Sequence, residues 1–186
     1  IGGTFTDVAM IDAAAGAAVL EKLLTTPHDP SIAVLEGVKL LLEQGGVPSS
    51  ALRSIVHGST LVTNAVIERN GTPTGMLVTK GFRDVLDIAL ERRYDLYDLR
   101  LRFPEPIITR GCRAEIDERM REDGAPLKAP DLAEVERAVR MLVNEHRVQA
   151  VAVCFLHSFT NPAHERAVEQ FIRSRFPDLY VSSSAD

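Results

Sequence analysis

Apolar and polar positions alternate over Phe5 to Asp12, with Phe5, Val8, Met10 and Ile11 set among Thr6, Asp7 and Asp12, and this predicts a strand. The small residues Ala13 to Ala17 turn the chain, and Val19 to Thr25 reads as a second strand that completes a hairpin. Asp29 and Pro30 suit the cap and first position of a helix with an apolar stripe of Ile32, Leu35, Val38 and Leu42, stopped by Gly45-Gly46. Ser54 to Gly58 predicts a short strand, after which Ser59 or Thr60 caps a helix from Leu61 to Arg69. Thr74 to Thr79 reads as a buried strand, Phe82 to Leu90 as a helix, and Cys112 to Arg119 with Glu122-Asp123-Gly124 as strand and turn. The clearest helix runs from Asp131 to Arg147, with Asp131 and Glu134 at capping-box spacing. Ala150 to Leu156 is a continuous apolar run, expected as a strand covered on both faces. Asn161-Pro162 opens a last helix with Val168, Phe171 and Ile172 inward, and Tyr180 to Ser184 reads as a strand leaving the core. A hairpin followed by alternating helices and strands predicts an α/β fold, a mixed sheet with helices packed on it.

Composition narrows the function classes. The chain has 186 residues, 45% hydrophobic and 25% charged, with a net charge of −5. That is the balance of an ordinary globular protein, long enough for a core without staples. Its mild acidity argues against nucleic-acid binding, which calls for a basic field. The apolar run at Ala150 is far shorter than the ~20 residues of a membrane span. Cys112 and Cys154 lack metal-ligand or disulfide-framework spacing and read as buried thiols of a cytoplasmic protein. The opening at Ile1, directly on a Gly-Gly turn, and the close at Tyr180 to Ser184 read as parts of a longer polypeptide.

Three stretches could carry chemistry. In Gly2-Gly3-Thr4-Phe5-Thr6-Asp7 the glycines let backbone approach a ligand, and successive amides with the Thr4 and Thr6 hydroxyls can cradle an anion. Asp7 could hold a metal or orient a water. The same turn also suits a hairpin whose glycines serve geometry alone. In His57-Gly58-Ser59-Thr60-Leu61-Val62-Thr63-Asn64 a strand runs into a helix start, whose free amides and positive dipole end suit phosphate or carboxylate. Asn64 lies one turn on from Thr60, and simple capping explains the pattern equally. Residues 80 to 113 hold 8 of the 21 basic residues, and Arg92 and Arg93 could clamp an anionic substrate or merely face water.

The order of these stretches is more specific than any one of them. Ile1-Gly2-Gly3-Thr4-Phe5-Thr6-Asp7, then His57 to Ala65, then Arg92-Arg93-Tyr94-Asp95-Leu96-Tyr97-Asp98-Leu99 and Glu115-Ile116-Asp117-Glu118-Arg119 with Asp123-Gly124, resembles the amino-terminal domain of the hydantoinase A/5-oxoprolinase family over essentially the whole chain. The resemblance implies an actin-like, ribonuclease-H-like ATPase fold with helices on both faces of its sheet, a small inserted segment around 91–125, and one domain over 1–186 with an inserted subregion at 82–128. It implies ATP-driven opening of a cyclic amide such as a hydantoin or 5-oxoproline, with Mg²⁺. A related branch carboxylates acetone, sugar or acid kinases share the superfamily, and a non-catalytic regulatory module with a vestigial turn is the other alternative. By the same resemblance Gly2, Gly3, Thr4, Thr6, Gly58, Ser59 and Thr60 bind nucleotide phosphates. His57, Asn64 and Asp7 are catalytic, Asp7 also the metal ligand, and Arg92 meets the substrate. The family pattern carries an Asp just before Ile-Gly-Gly-Thr and a second nucleotide-binding half beyond this region, so the stretch alone is expected to be inactive. A hydantoinase B-type subunit or domain and an oligomeric assembly are the expected partners.

Overall fold

The computed structural model describes residues 1–12, 16–90, 95 and 97–185. The chain divides into two compact units, Ile1–Gly71 and Thr72–Asp186.

The first unit opens with the expected hairpin. Strand β1 (Phe5–Asp12) pairs antiparallel with β2 (Ala17–Leu24), from Phe5 opposite Leu24 to Asp12 opposite Ala17. Strand alternation sends Thr6, Val8 and Met10 to one face and Phe5, Asp7 and Ile11 to the other. Helix α1 (Pro30–Gly45) covers the first face. Asp29 caps it by accepting the Ser31 amide at 3.0 Å, Pro30 takes the first turn, and Gly46 closes it at φ +62°.

The buried edge of α1 is not the stripe that the sequence predicts. Leu35 is 69% exposed, whereas Ala33 and Leu41 are 1% and 2% exposed and Gly37 is buried between them. Ala33, Gly37, Leu41 and Gly45 follow one another at i+4 spacing and let the helix lie close on the hairpin. A Cβ at Gly37 would fall 2.5 Å from Val8 Cγ2 and 2.9 Å from Leu23 Cδ1. Close approach, rather than side-chain size, sets which face is covered.

After a 3₁₀ turn at Ser49–Ala51, residues 52–60 run without regular structure, so the strand expected at Ser54 to Gly58 does not form. Among the described residues, the backbone bonds of its second half go to Ile1 alone, too few for a ladder. Helix α2 (Leu61–Glu68) follows.

The second unit is built on a parallel sheet. Its elements are β3 (Thr74–Thr79), the single turn α3 (Val85–Ile88), β4 (Arg113–Ile116), β5 (Arg119–Met120), β6 (Pro126–Lys128), α4 (Leu132–His146), β7 (Ala150–Cys154), α5 (Ala163–Arg175) and β8 (Tyr180–Ser183). The order is β4-β3-β7-β8, all parallel, with β5 and β6 forming a separate small hairpin. The expected single mixed sheet is thus resolved, among the described residues, into an antiparallel hairpin, a parallel sheet and a second hairpin. Of the helix expected over Phe82 to Leu90, one turn forms.

Crossovers from β4 through α4 to β7, and from β7 through α5 to β8, step the same way along the sheet. A constant crossover hand therefore puts both helices on one face. The core confirms it: Leu77, Val151, Val153 and Val181 from the sheet pack with Val139, Leu142, Val168 and Ile172 from the helices. Each such side chain contributes about 1.5–3 kcal/mol of burial. On β7 the valines are buried while Ala150, Ala152 and Cys154 stay half-buried, so the strand is fully covered on one face only.

A polar network closes the carboxyl edge of this sheet. The Thr79 hydroxyl donates to buried Glu118 and accepts the Leu156 amide at 2.9 Å, and His164 Nδ1 lies 2.7 Å from the other Glu118 oxygen. Fully buried Glu165 accepts from the Phe155 amide, the Ser184 hydroxyl and the Ala185 amide at 2.7, 2.7 and 3.0 Å. Both carboxyl groups thereby meet partners in place of water. On the β4 side, the buried Arg113 guanidinium bonds the Ile108 and Arg83 carbonyls and pairs with Asp87, while Arg110 pairs with Asp84 at 2.7 Å. Hydrogen bonds from Arg110 and Arg113 hold the Asp84 and Asp87 carboxyls below the ordinary 3.8.

Two stability predictions follow from this packing. Gly37→Ala lowers stability by about 1–3 kcal/mol in urea unfolding despite alanine's better helix propensity, because stiff Val8 cannot yield. Gly45→Ala, facing the flexible end of Met10, is near neutral, and equal effects at the two sites contradict this packing. A depressed carboxyl stabilises fully above its unfolded value and loses that contribution as pH falls through its folded one. The stability gap between wild type and Asp87→Asn is therefore widest near pH 6 and narrows below about pH 4; a pH-independent gap contradicts the pairing.

Candidate functional site

The first unit brings two of the three sequence stretches to one edge. Ile1 N donates to the Gly58 carbonyl at 2.9 Å, and the Ile1 carbonyl accepts the Thr60 amide at 3.0 Å and the Thr60 hydroxyl at 3.2 Å. This two-sided bonding is the pattern of parallel pairing centred on Ser59. It sets the Gly2-Gly3 turn beside the start of α2. A Cβ on Gly3 would lie 3.2 Å from Asn64 Nδ2, so the turn comes close against the first turn of the helix and a side chain at residue 3 would crowd Asn64.

The turn itself is tight. The Gly2 amide donates to Phe5 O at 2.8 Å, the Thr25 amide to Thr4 O at 2.9 Å, and the Thr25 hydroxyl to Gly2 O at 2.9 Å. Gly3 and Thr4 are exposed, and among the described residues their amides meet no acceptor. At the helix start, Ser59 Oγ accepts the Leu61 amide at 3.2 Å and the Asn64 amide returns to Thr60 O at 2.8 Å. The Val62 and Thr63 amides remain among the orphan donors that every helix start carries. Four backbone N–H groups and the dipole end of α2 thus share one exposed edge, which suits an anion with several oxygens.

Individual side chains sort differently from their sequence order. Gly2, Gly3, Thr4, Gly58, Ser59, Thr60 and Asn64 come together at this edge, and exposed His57 immediately precedes Gly58. Thr6 does not present its hydroxyl there: it is 1% exposed and bonded to the Thr25 hydroxyl at 3.0 Å. Strand alternation puts Asp7 on the other hairpin face, where Lys22 lies 3.1 Å from its carboxylate. Arg92 and Arg93 lie outside the described residues. Nothing local marks Thr25 for this edge: the sequence reads it as the last residue of the strand over Val19 to Thr25, whereas β2 ends at Leu24.

Other candidate chemistry is ordinary. Among the described residues no three His, Cys, Asp or Glu side chains sit together as a metal site, and no helix is long and apolar enough to cross a membrane. Cys112 and Cys154 are free and half-buried. Burial, with nearby Glu165 adding to it, pushes the Cys154 thiol up to about 11, so it stays protonated at neutral pH.

The family model of the hydantoinase/oxoprolinase N-terminal region matches residues 1–176. The chain belongs to this family. It is 32% identical to the caprolactamase subunit alpha of Pseudomonas jessenii over 98% of its length, and 31% identical to 5-oxoprolinase 1 of Arabidopsis thaliana, again over 98%. The crystal structure of the ATP-dependent caprolactamase superposes with a TM-score of 0.80 over 99% of the chain. Nucleotide-free acetone carboxylase superposes at 0.84 but is 23% identical, a likeness of fold. This hydantoinase/oxoprolinase region spans 27% of the caprolactamase subunit and 17% of the plant oxoprolinase. The family fold is α/β with a parallel sheet, as the second unit displays.

Proposed function

We propose that this region supplies the first phosphate-binding edge of an ATP-dependent enzyme that opens cyclic amides such as hydantoins or 5-oxoproline. The observation that carries the reading is the double bonding of Ile1 to Gly58 and Thr60, which sets the glycine turn against the α2 start. The relatives named ATP-dependent caprolactamase and 5-oxoprolinase support the substrate class. In this reading the two units belong to an actin-like, ribonuclease-H-like ATPase architecture, and the whole enzyme includes a hydantoinase B-type subunit or domain within an oligomer.

An unstrained lactam is a poor electrophile because amide resonance feeds its carbonyl carbon. Activation proceeds by attack of the lactam oxygen on the γ-phosphorus of ATP, forming the O–P bond as the bond to ADP breaks. Water then adds to the activated carbon, the ring C–N bond breaks to leave an amine and an acyl phosphate, and a second water releases phosphate. The protein's task is positioning and charge stabilisation of the moving phosphoryl group. The Gly3 and Thr4 amides, the α2 start at Ser59 and Thr60, and Gly58 beside them receive phosphate oxygens. His57 and Asn64 border the reacting centre, and Arg92 meets an anionic substrate group.

Mg²⁺ accompanying ATP would need only one or two carboxylates from this chain. Asp7 would supply one, since an exposed pair such as that with Lys22 is weak and readily exchanged. The ion would neutralise phosphate charge.

The test uses the full-length polypeptide with its partner subunit. ATP hydrolysis is expected to rise with a cyclic amide, with one ring opened per ATP, and not with sugars or acetone. His57→Ala and Asn64→Ala are each expected to lower kcat/KM at least tenfold, about 1.4 kcal/mol of transition-state stabilisation. Unchanged activity in both variants contradicts the assignment, and stimulation by a sugar moves the protein to the kinases.

A further inference from the structure

We infer that Thr25, through a hydroxyl relay with Thr6, is a positioning residue that sets the direction in which the Gly3 amide points; this rests on the phosphate-binding reading of the turn. Thr25 is the first residue after β2 and is half-buried. Its hydroxyl lies 2.9 Å from the Gly2 carbonyl oxygen and 3.0 Å from the Thr6 hydroxyl.

Proton counting orients the relay. A carbonyl can only accept, so the single Thr25 proton goes to Gly2 O, and Thr6 must then donate to Thr25. The sequence of donors is Thr6 to Thr25 to Gly2. Thr6, at 1% exposure, has been removed from water and needs this partner. Each bond in such a chain polarises the next.

The Gly2 carbonyl belongs to the same planar unit as the Gly3 N–H, and in a trans peptide the two point in opposite directions. Fixing the carbonyl toward Thr25 therefore fixes the Gly3 amide away from the hairpin interior. This plane needs an outside hold more than any other in the turn. It lies between two glycines, whose backbones rotate with little steric penalty, so its flip would otherwise be cheap. The Thr25 amide, bonded to Thr4 O at 2.9 Å, anchors the same side of the turn and keeps the hydroxyl in register. Thr26 then bonds Asp29 O and takes the Ala33 amide at 3.4 Å, joining the relay to the start of α1. The Thr25-Thr26 pair so joins the turn to the helix that backs the hairpin.

The experiment titrates ATP with Mg²⁺ into the full-length protein and its Thr25→Val, Thr25→Ser and Thr6→Val variants by calorimetry, alongside thermal melting and steady-state kinetics. Valine keeps the shape and removes the hydroxyl; serine keeps the hydroxyl. Thr25→Val is expected to weaken ATP about tenfold, the value of one well-aligned amide–phosphate bond. KM for the cyclic amide is expected to stay unchanged, with Thr25→Ser restored to near wild type and Thr6→Val showing a smaller loss. ATP affinity unchanged in folded Thr25→Val, or Thr25→Ser as weak as Thr25→Val, overturns the inference while leaving the parent reading in place. A wild-type protein that binds no ATP overturns both.

Discussion

The backbone nitrogen and carbonyl of Ile1 join two stretches that lie 57 residues apart in sequence. With the Gly58 carbonyl accepting from Ile1 and the Thr60 amide donating to it, the register between the glycine turn and the α2 start is fixed to a single residue. A slip of one position would turn the Gly58 carbonyl and the Thr60 amide away from Ile1 and carry Asn64 off Gly3. The missing side chain of Gly3 is the second half of the same constraint, because a Cβ there would crowd Asn64 Nδ2 at 3.2 Å. An anion-binding edge assembled from backbone rather than charged side chains needs register of this kind, since amides cannot reach for a ligand as lysine does.

The two units solve their packing differently. In the first, a two-stranded hairpin cannot cover a helix with many large side chains, and it gains contact by bringing α1 close over Ala33, Gly37 and Leu41. In the second, branched residues of a parallel sheet meet two helices on one face, and the end of that face is closed by polar groups instead of apolar ones. The carboxyl ends of parallel strands are where chain ends and loop starts leave amides unpaired. Glu165 accepts such amides directly, while Glu118 holds the Thr79 hydroxyl that takes the Leu156 amide, and the cost of burying two carboxyls is offset by the bonds they receive. Such a network fixes loop positions more than it adds net stability.

Much of this was legible in the residues where the signal is local. Asp29-Pro30 and Asp131 mark their helix starts because a cap acts within three residues. Phe5 to Asp12 and Thr74 to Thr79 form strands over the expected bounds because alternation and continuous burial are local patterns. The Gly2-Gly3 turn and the helix start after Ser59-Thr60 are likewise local, since a glycine turn and a cap each act within a few residues. What was not legible depends on distant partners. Ser54 to Gly58 has strand-like composition but lacks a described ladder. The covered face of α1 is set by how near the hairpin comes, which hydrophobic size does not report. Glu134 sits at capping-box spacing, yet its carboxylate accepts the Asp117 amide at 3.1 Å. The inward turn of Thr6 and the role of Thr25 emerge only when β1 and β2 are paired, and Glu118 finds His164 across 46 residues.

Amide hydrogen exchange of the full-length protein, with and without ATP, tests the central claim most directly, because the proposed ligands are backbone N–H groups. New protection is expected at Gly3, Thr4, Val62 and Thr63 together on nucleotide binding. Nucleotide binding that protects other segments and leaves those four amides exchanging at their free rate would contradict it.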